Sequence, residues 1–174
     1  NEIYSNIDLG ENVVVFSPEI DFVEISALNT RVYGYGLFTR TDQVNLQENM
    51  PTLDKGFINI FLVHAALPPY TDTSPITKEE IAESGFDFIA SGHIHIFEGI
   101  KKYGDTYAVF PGMPEGRHFK VAECGEKGFL KILIDKNKFE TEFIKLRERA
   151  HLATDGNREA TERIWETLTN LLKN

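Results

Sequence analysis

Between residues 57 and 90 the chain spells strand, helix, strand, and no other stretch constrains the fold as much. Residues 57–63 are apolar on both faces apart from Asn59, the pattern of a central strand covered on two sides. A loop with Pro68, Pro69 and Pro75 follows. Thr77-Lys78-Glu79-Glu80 then reads as a capping box opening a short helix, with Gly85 placed to close it. Residues 86–90 form a second short apolar run, the kind that makes a buried strand. Two neighbouring strands joined through a helix run parallel. Their carboxyl ends then share one edge of the sheet, where open α/β folds bind ligands.

Histidines stand at that edge. His64 ends the first strand, and the second runs into Asp-Phe-Ile-Ala-Ser-Gly-His-Ile-His at 87–95. In extended chain His93 and His95 leave from one face, about 6.5–7 Å apart at the backbone. That is too wide for a hydrogen-bonded pair of rings. It suits one metal, or two adjacent metals about 3.5–4 Å apart. A single histidine where a strand meets water is ordinarily a polar terminus. Two of them after a buried strand and a glycine, with His64 converging from the neighbouring strand, predict a metal site.

The rest of the chain is rich in strands. Residues 12–16 read as a short β-branched strand stopped by Ser17-Pro18, and 21–27 alternate so as to pair with 31–38. Gly34 and Gly36 signal a bulge or a close backbone approach. Residues 41–55 are a polar loop with one helical turn. Hairpins are expected at 98–103 with 106–110, across Gly104-Asp105, and at 129–135 with 138–146, across Lys136-Asn137. The turn-rich loop between them carries Arg117, which serves equally well as a phosphate contact or a solvated cation. His118 is expected to be exposed, and His151 receives no role. After Leu146 the composition shifts. From Arg158 onward Ala160, Ile164, Trp165, Leu168, Leu171 and Leu172 make one helical stripe, expected to pack on its own domain. The division is 1–146, one catalytic-type domain, and 147–174, a linker with an amphipathic helical tail.

Charge narrows the chemistry. Acidic residues outnumber basic ones 27 to 18, a net charge of -9, so surface-wide attraction to nucleic acid is not expected. A phosphate ester would have to meet its positive charge in bound cations. No apolar run approaches the roughly 18 residues of a membrane span. Cys124 is the one cysteine, which excludes an internal disulfide and fits a reducing, cytoplasmic setting. Between Glu123 and Gly125 it reads as structural. No signal-peptide pattern opens the chain, and its first residue is not Met, as expected of a processed or incomplete product.

With these residues in view, the sequence resembles the calcineurin-like metallophosphoesterase superfamily, and within it the branch of DNA repair exonucleases that work with SMC-like ATPases. The likeness is carried by Phe-Leu-Val-His at 61–64, the stretch 87–95, and Phe-Pro-Gly-Met-Pro-Glu-Gly-Arg at 110–117. Glu-Cys-Gly-Glu-Lys-Gly at 123–128 continues it. The resemblance implies an α/β fold in which this chain is the strand-rich part of a two-sheet sandwich. It also implies a centre of two divalent ions, manganese first, with iron or zinc as alternatives. His64 and His93 would serve one metal and His95 the other. The implied substrate is a phosphodiester such as DNA, and the implied partner an SMC-like ATPase.

The chain also departs from the family. Members carry Asp-x-His, Gly-Asp-x-x-Asp and Gly-Asn-His-Asp motifs upstream, which supply the bridging carboxylate and a catalytic histidine, and none occurs here. The chain therefore resembles the carboxyl-terminal part of the catalytic domain and holds no catalytic residue of its own. Three neutral imidazoles leave the mutual repulsion of two cations uncompensated, so the chain alone is expected to be inactive or nearly so. Two other readings stay open: one His₃ zinc site with a free fourth position, and a non-catalytic module of a larger assembly.

Overall fold

The computed structural model of the chain describes residues 8–37, 39, 42–116, 123–135 and 138–149. In order they form β1 (Asp21–Ile25), a 3-10 turn (Ser26–Leu28), β2 (Thr30–Tyr35), α1 (Leu46–Asn49) and β3 (Ile58–Val63). Then come α2 (Lys78–Glu83), β4 (Phe88–Ser91), β5 (Lys101–Tyr103), β6 (Thr106–Val109), β7 (Gly125–Ile134) and β8 (Phe139–Arg149). The helix expected in the tail lies outside the described residues, as do Arg117, His118 and His151.

The strand–helix–strand unit forms as expected. Thr77 accepts from the Glu80 amide while the Glu80 side chain returns to the Thr77 amide, closing the capping box. Gly85, at φ +72°, ends the helix in the left-handed conformation that glycine adopts without cost. β3 and β4 pair in parallel. They sit inside a six-stranded sheet of order β1-β2-β3-β4-β6-β5, in which β2–β3 and β4–β6 are parallel too. Only the outer pairs are antiparallel, β1–β2 and β5–β6.

One face of this sheet carries the main core. Tyr33, Phe61, Ile89 and Ala108 come from four successive strands, and Ile81 of α2 packs with them. Phe86 stacks on Phe61 at 4.9 Å and meets Tyr33 edge-on at 5.4 Å. Burial of such side chains, each about 1.5–3 kcal/mol, holds the helix against the sheet. On the other face Phe88 and Tyr107 lie in register, and the antiparallel β7–β8 pair is laid over them. Phe139 stacks on Tyr107 at 3.9 Å and lies 5.8 Å from Phe88, and Phe97 stacks on Phe143 at 4.8 Å. Among the described residues the result is a mixed α/β arrangement of two sheets and few helices, as the resemblance implied. Among the described residues no helix is long and apolar enough to cross a membrane.

Expectations change along the chain: β1 ends at Ile25, β2 runs over Thr30–Tyr35, and β7 begins at Gly125 where 129 was expected. Residues 12–16 are not a strand. A Cβ on Gly34 would fall 2.0 Å from the Phe16 ring, and one on Gly36 would fall 2.1 Å from the Phe16 carbonyl oxygen. The segment thus crosses β2 at close approach and leaves Val13, Val14 and Val15 exposed. The first strand of the 98–110 hairpin shrinks to Lys101–Tyr103. β8 runs on past Leu146 to Arg149.

Candidate metal centre

His64 is the first residue beyond β3, and its neighbours fix it to the end of β4. The Ser91 hydroxyl donates to the Ala65 carbonyl at 2.6 Å and accepts from the Ala65 amide at 3.1 Å. The Gly92 amide donates to the Val63 carbonyl at 2.8 Å. Gly92 serves His64 directly, because a Cβ there would stand 2.8 Å from His64 Nδ1. It is His93 that bends the chain, at φ +89°.

A side chain at that angle is uncommon, and such backbone strain clusters at functional sites. It also removes the premise of an extended His-x-His with both rings on one face of a strand. The bend brings His93 to His64, with ring centroids 5.5 Å apart and planes at 77°. The outer edge of His64 is exposed, yet partial desolvation holds its pKa below the ordinary histidine value. The nearby His93 and His95 rings lower it further. The three imidazoles therefore share one electrostatic neighbourhood.

Two of the histidines have carboxylate companions. His93 Nε2 lies 3.0 Å from both oxygens of Asp72, in the loop between β3 and α2. The hydrogen bond from His93 is the main cause that lowers the Asp72 pKa. His95 Nδ1 lies 3.5 Å from the Glu123 carboxylate, and the Lys127 ammonium donates to the His95 carbonyl at 3.1 Å. Asp72, Glu123 and Lys127 had no role in the sequence reading. Glu123 and Lys127 stood within the resemblance, but burial of a charge is invisible until the fold places it.

Imidazole nitrogens, a donor type that metals take, thus lie near one another at the carboxyl edge of β3 and β4. Asp72 sits on a ring nitrogen of His93, as an outer partner of a metal-bound histidine does. Yet among the described residues no group of three or more His, Cys, Asp or Glu side chains comes close enough together to hold a metal ion. A centre of two divalent ions does not fit these side chains by themselves, since a carboxylate between the ions is missing.

No protein-family model matches the chain. Among proteins of known sequence it is similar to YhaO of Bacillus subtilis (strain 168), described as an uncharacterized metallophosphoesterase. The two are 25% identical over 158 residues, which is 85% of this chain and 36% of YhaO. The chain thus spans little more than a third of that relative's length, and the likeness supports the metallophosphoesterase resemblance read from the motifs.

Proposed function

We propose that the chain is the histidine-bearing part of a metal-dependent phosphoesterase acting on phosphodiesters. The observation that carries this reading is the meeting of His64 and His93, from the ends of two parallel strands, at 5.5 Å. His64, His93 and His95 supply neutral nitrogen ligands, and Asp72 orients the His93 ring. A divalent ion held there supplies Lewis acidity toward a phosphate oxygen and lowers the pKa of water. The net charge of -9 makes such cations the natural source of positive charge for an anionic substrate. Carboxylate ligands come from outside this chain, in a longer protein that carries it.

Within this reading manganese is the first metal to test, ahead of iron and zinc. An exonuclease-like action on DNA and an SMC-like ATPase as partner follow from the resemblance, a cytoplasmic setting fits the single cysteine, and Arg117 is a candidate phosphate contact. The experiment compares hydrolysis of a simple aryl phosphodiester, with and without manganese, by the 174-residue chain and by the longer protein. The longer protein turns over only with metal, and loses activity when His93 and His95 are both changed to Ala. The chain alone is silent. Manganese-dependent turnover by the chain alone contradicts the half-site, and a single tightly bound zinc in an active chain favours a mononuclear His₃ hydrolase instead.

A further inference from the structure

Two charged side chains are buried beside His95, and neither has a place in the reading above. Glu123 is 4% exposed and Lys127 is 2% exposed. Removing a carboxylate and an ammonium from water is costly, and a buried ion pair is weak support for stability by itself. Both residues nevertheless reach the same histidine. Glu123 Oε1 stands 3.5 Å from the His95 ring at Nδ1, and Lys127 Nζ donates to the His95 backbone carbonyl at 3.1 Å. The strand that carries Lys127 is built irregularly at this point. The β7–β8 ladder shifts register between Lys127 and Gly128, and a bulge of this kind re-aims a side chain. Glu123 is seated just as closely, because a Cβ on Gly116 would fall 2.0 Å from its carbonyl oxygen.

We propose that Glu123 and Lys127 are positioning residues that hold His95 from two sides, the ring by Glu123 and the backbone by Lys127. His95 needs such a brace. It is exposed, lies beyond the end of β4 and follows the strained His93. A carboxylate 3.5 Å from Nδ1 favours the neutral ring's hydrogen on that nitrogen, which leaves Nε2 as the free lone pair. This deepens the metal-centre reading and rests on it for its purpose, since it fixes which nitrogen His95 offers to an ion.

The test reads the ring tautomers of the metal-free 174-residue chain by long-range proton–nitrogen correlation, at about pH 8.5, above the ordinary imidazole range. His95 carries its hydrogen on Nδ1. Glu123→Leu moves it to Nε2, whereas Glu123→Gln, which keeps an acceptor, restores Nδ1. Lys127→Met sets the His95 ring in motion and weakens manganese binding by about 10–100-fold, the usual cost of losing an outer partner. A hydrogen on Nε2 in the unaltered chain overturns the proposal, and so does a tautomer unmoved in folded Glu123→Leu. If that variant does not fold, the unaltered chain decides. Because no metal or substrate enters the tautomer measurement, the brace and the phosphoesterase reading fail separately. A longer protein that cannot hydrolyse a phosphodiester, with Nδ1–H intact on His95, refutes only the latter.

Discussion

At the scale of single residues, the site depends on space as much as on ligands. Gly92 leaves room for His64, whose Nδ1 would lie 2.8 Å from an added Cβ. The obstacle is a side chain at the exposed sheet edge, which can swing away, so Gly92→Ala is expected to change stability by no more than about 1 kcal/mol. The displaced ring weakens metal binding by tenfold or more. Calorimetric titration with manganese, alongside a thermal melt, separates the two effects. A large loss of stability with unchanged metal binding would show that Gly92 serves the backbone and not His64. Gly36→Ala is the contrasting case. Its Cβ would meet a backbone carbonyl at 2.1 Å, a clash that no side-chain rotation relieves, and the melt should drop by about 1–3 kcal/mol. The histidines themselves were legible in the sequence. Their companions were not, because Asp72 lies some twenty positions from His93 and Glu123 nearly thirty from His95, distances that only the fold closes.

At the scale of elements, local signals succeeded where a segment carries its own punctuation. The α2 capping box could be read directly, and Thr77→Ala should cost about 1 kcal/mol through loss of the cap, measured as a shift in the urea midpoint without change of slope. An unchanged midpoint would mean that packing of Ile81 alone sets the helix. The segment 12–16 misled for a physical reason. Its β-branched residues favour extended backbone, but a strand also needs a ladder, and the neighbouring hydrogen bond here is one, from the Gly36 amide to the Ser17 carbonyl at 2.8 Å. The parallel pairing of β2 with β3 also escaped notice. Residues 42–55 form only one helical turn, at Leu46–Asn49, so the crossover lacked the helix that marks the β3–β4 connection. The second sheet is held by aromatic stacking at Phe139, half-buried against Tyr107 and Phe88. Phe139→Ala should destabilise by about 2–3 kcal/mol, below the range for a fully buried ring. Proton exchange should report it chiefly in β7 and β8. Uniform loss of protection across the six-stranded sheet would instead show that the two layers unfold together.

At the scale of the whole molecule, topology does the work of bringing distant residues together. Parallel β3 and β4 end at one edge, so His64 and His93 meet although the sequence separates them widely. This convergence followed from strand–helix–strand order alone, whereas the bend at His93 that completes it had no sequence signal. The central claim is that these three imidazoles are the histidine side of a metal centre. Manganese is paramagnetic and broadens the resonances of whatever it approaches, so the decisive measurement is a titration of the chain with manganese, followed through histidine ring signals. The account predicts that His64, His93 and His95 broaden first, well below one equivalent of ion, and that His93→Ala and His95→Ala together abolish the effect. Broadening that begins at surface carboxylates such as Glu140 and Glu142, with the three rings untouched, would contradict it.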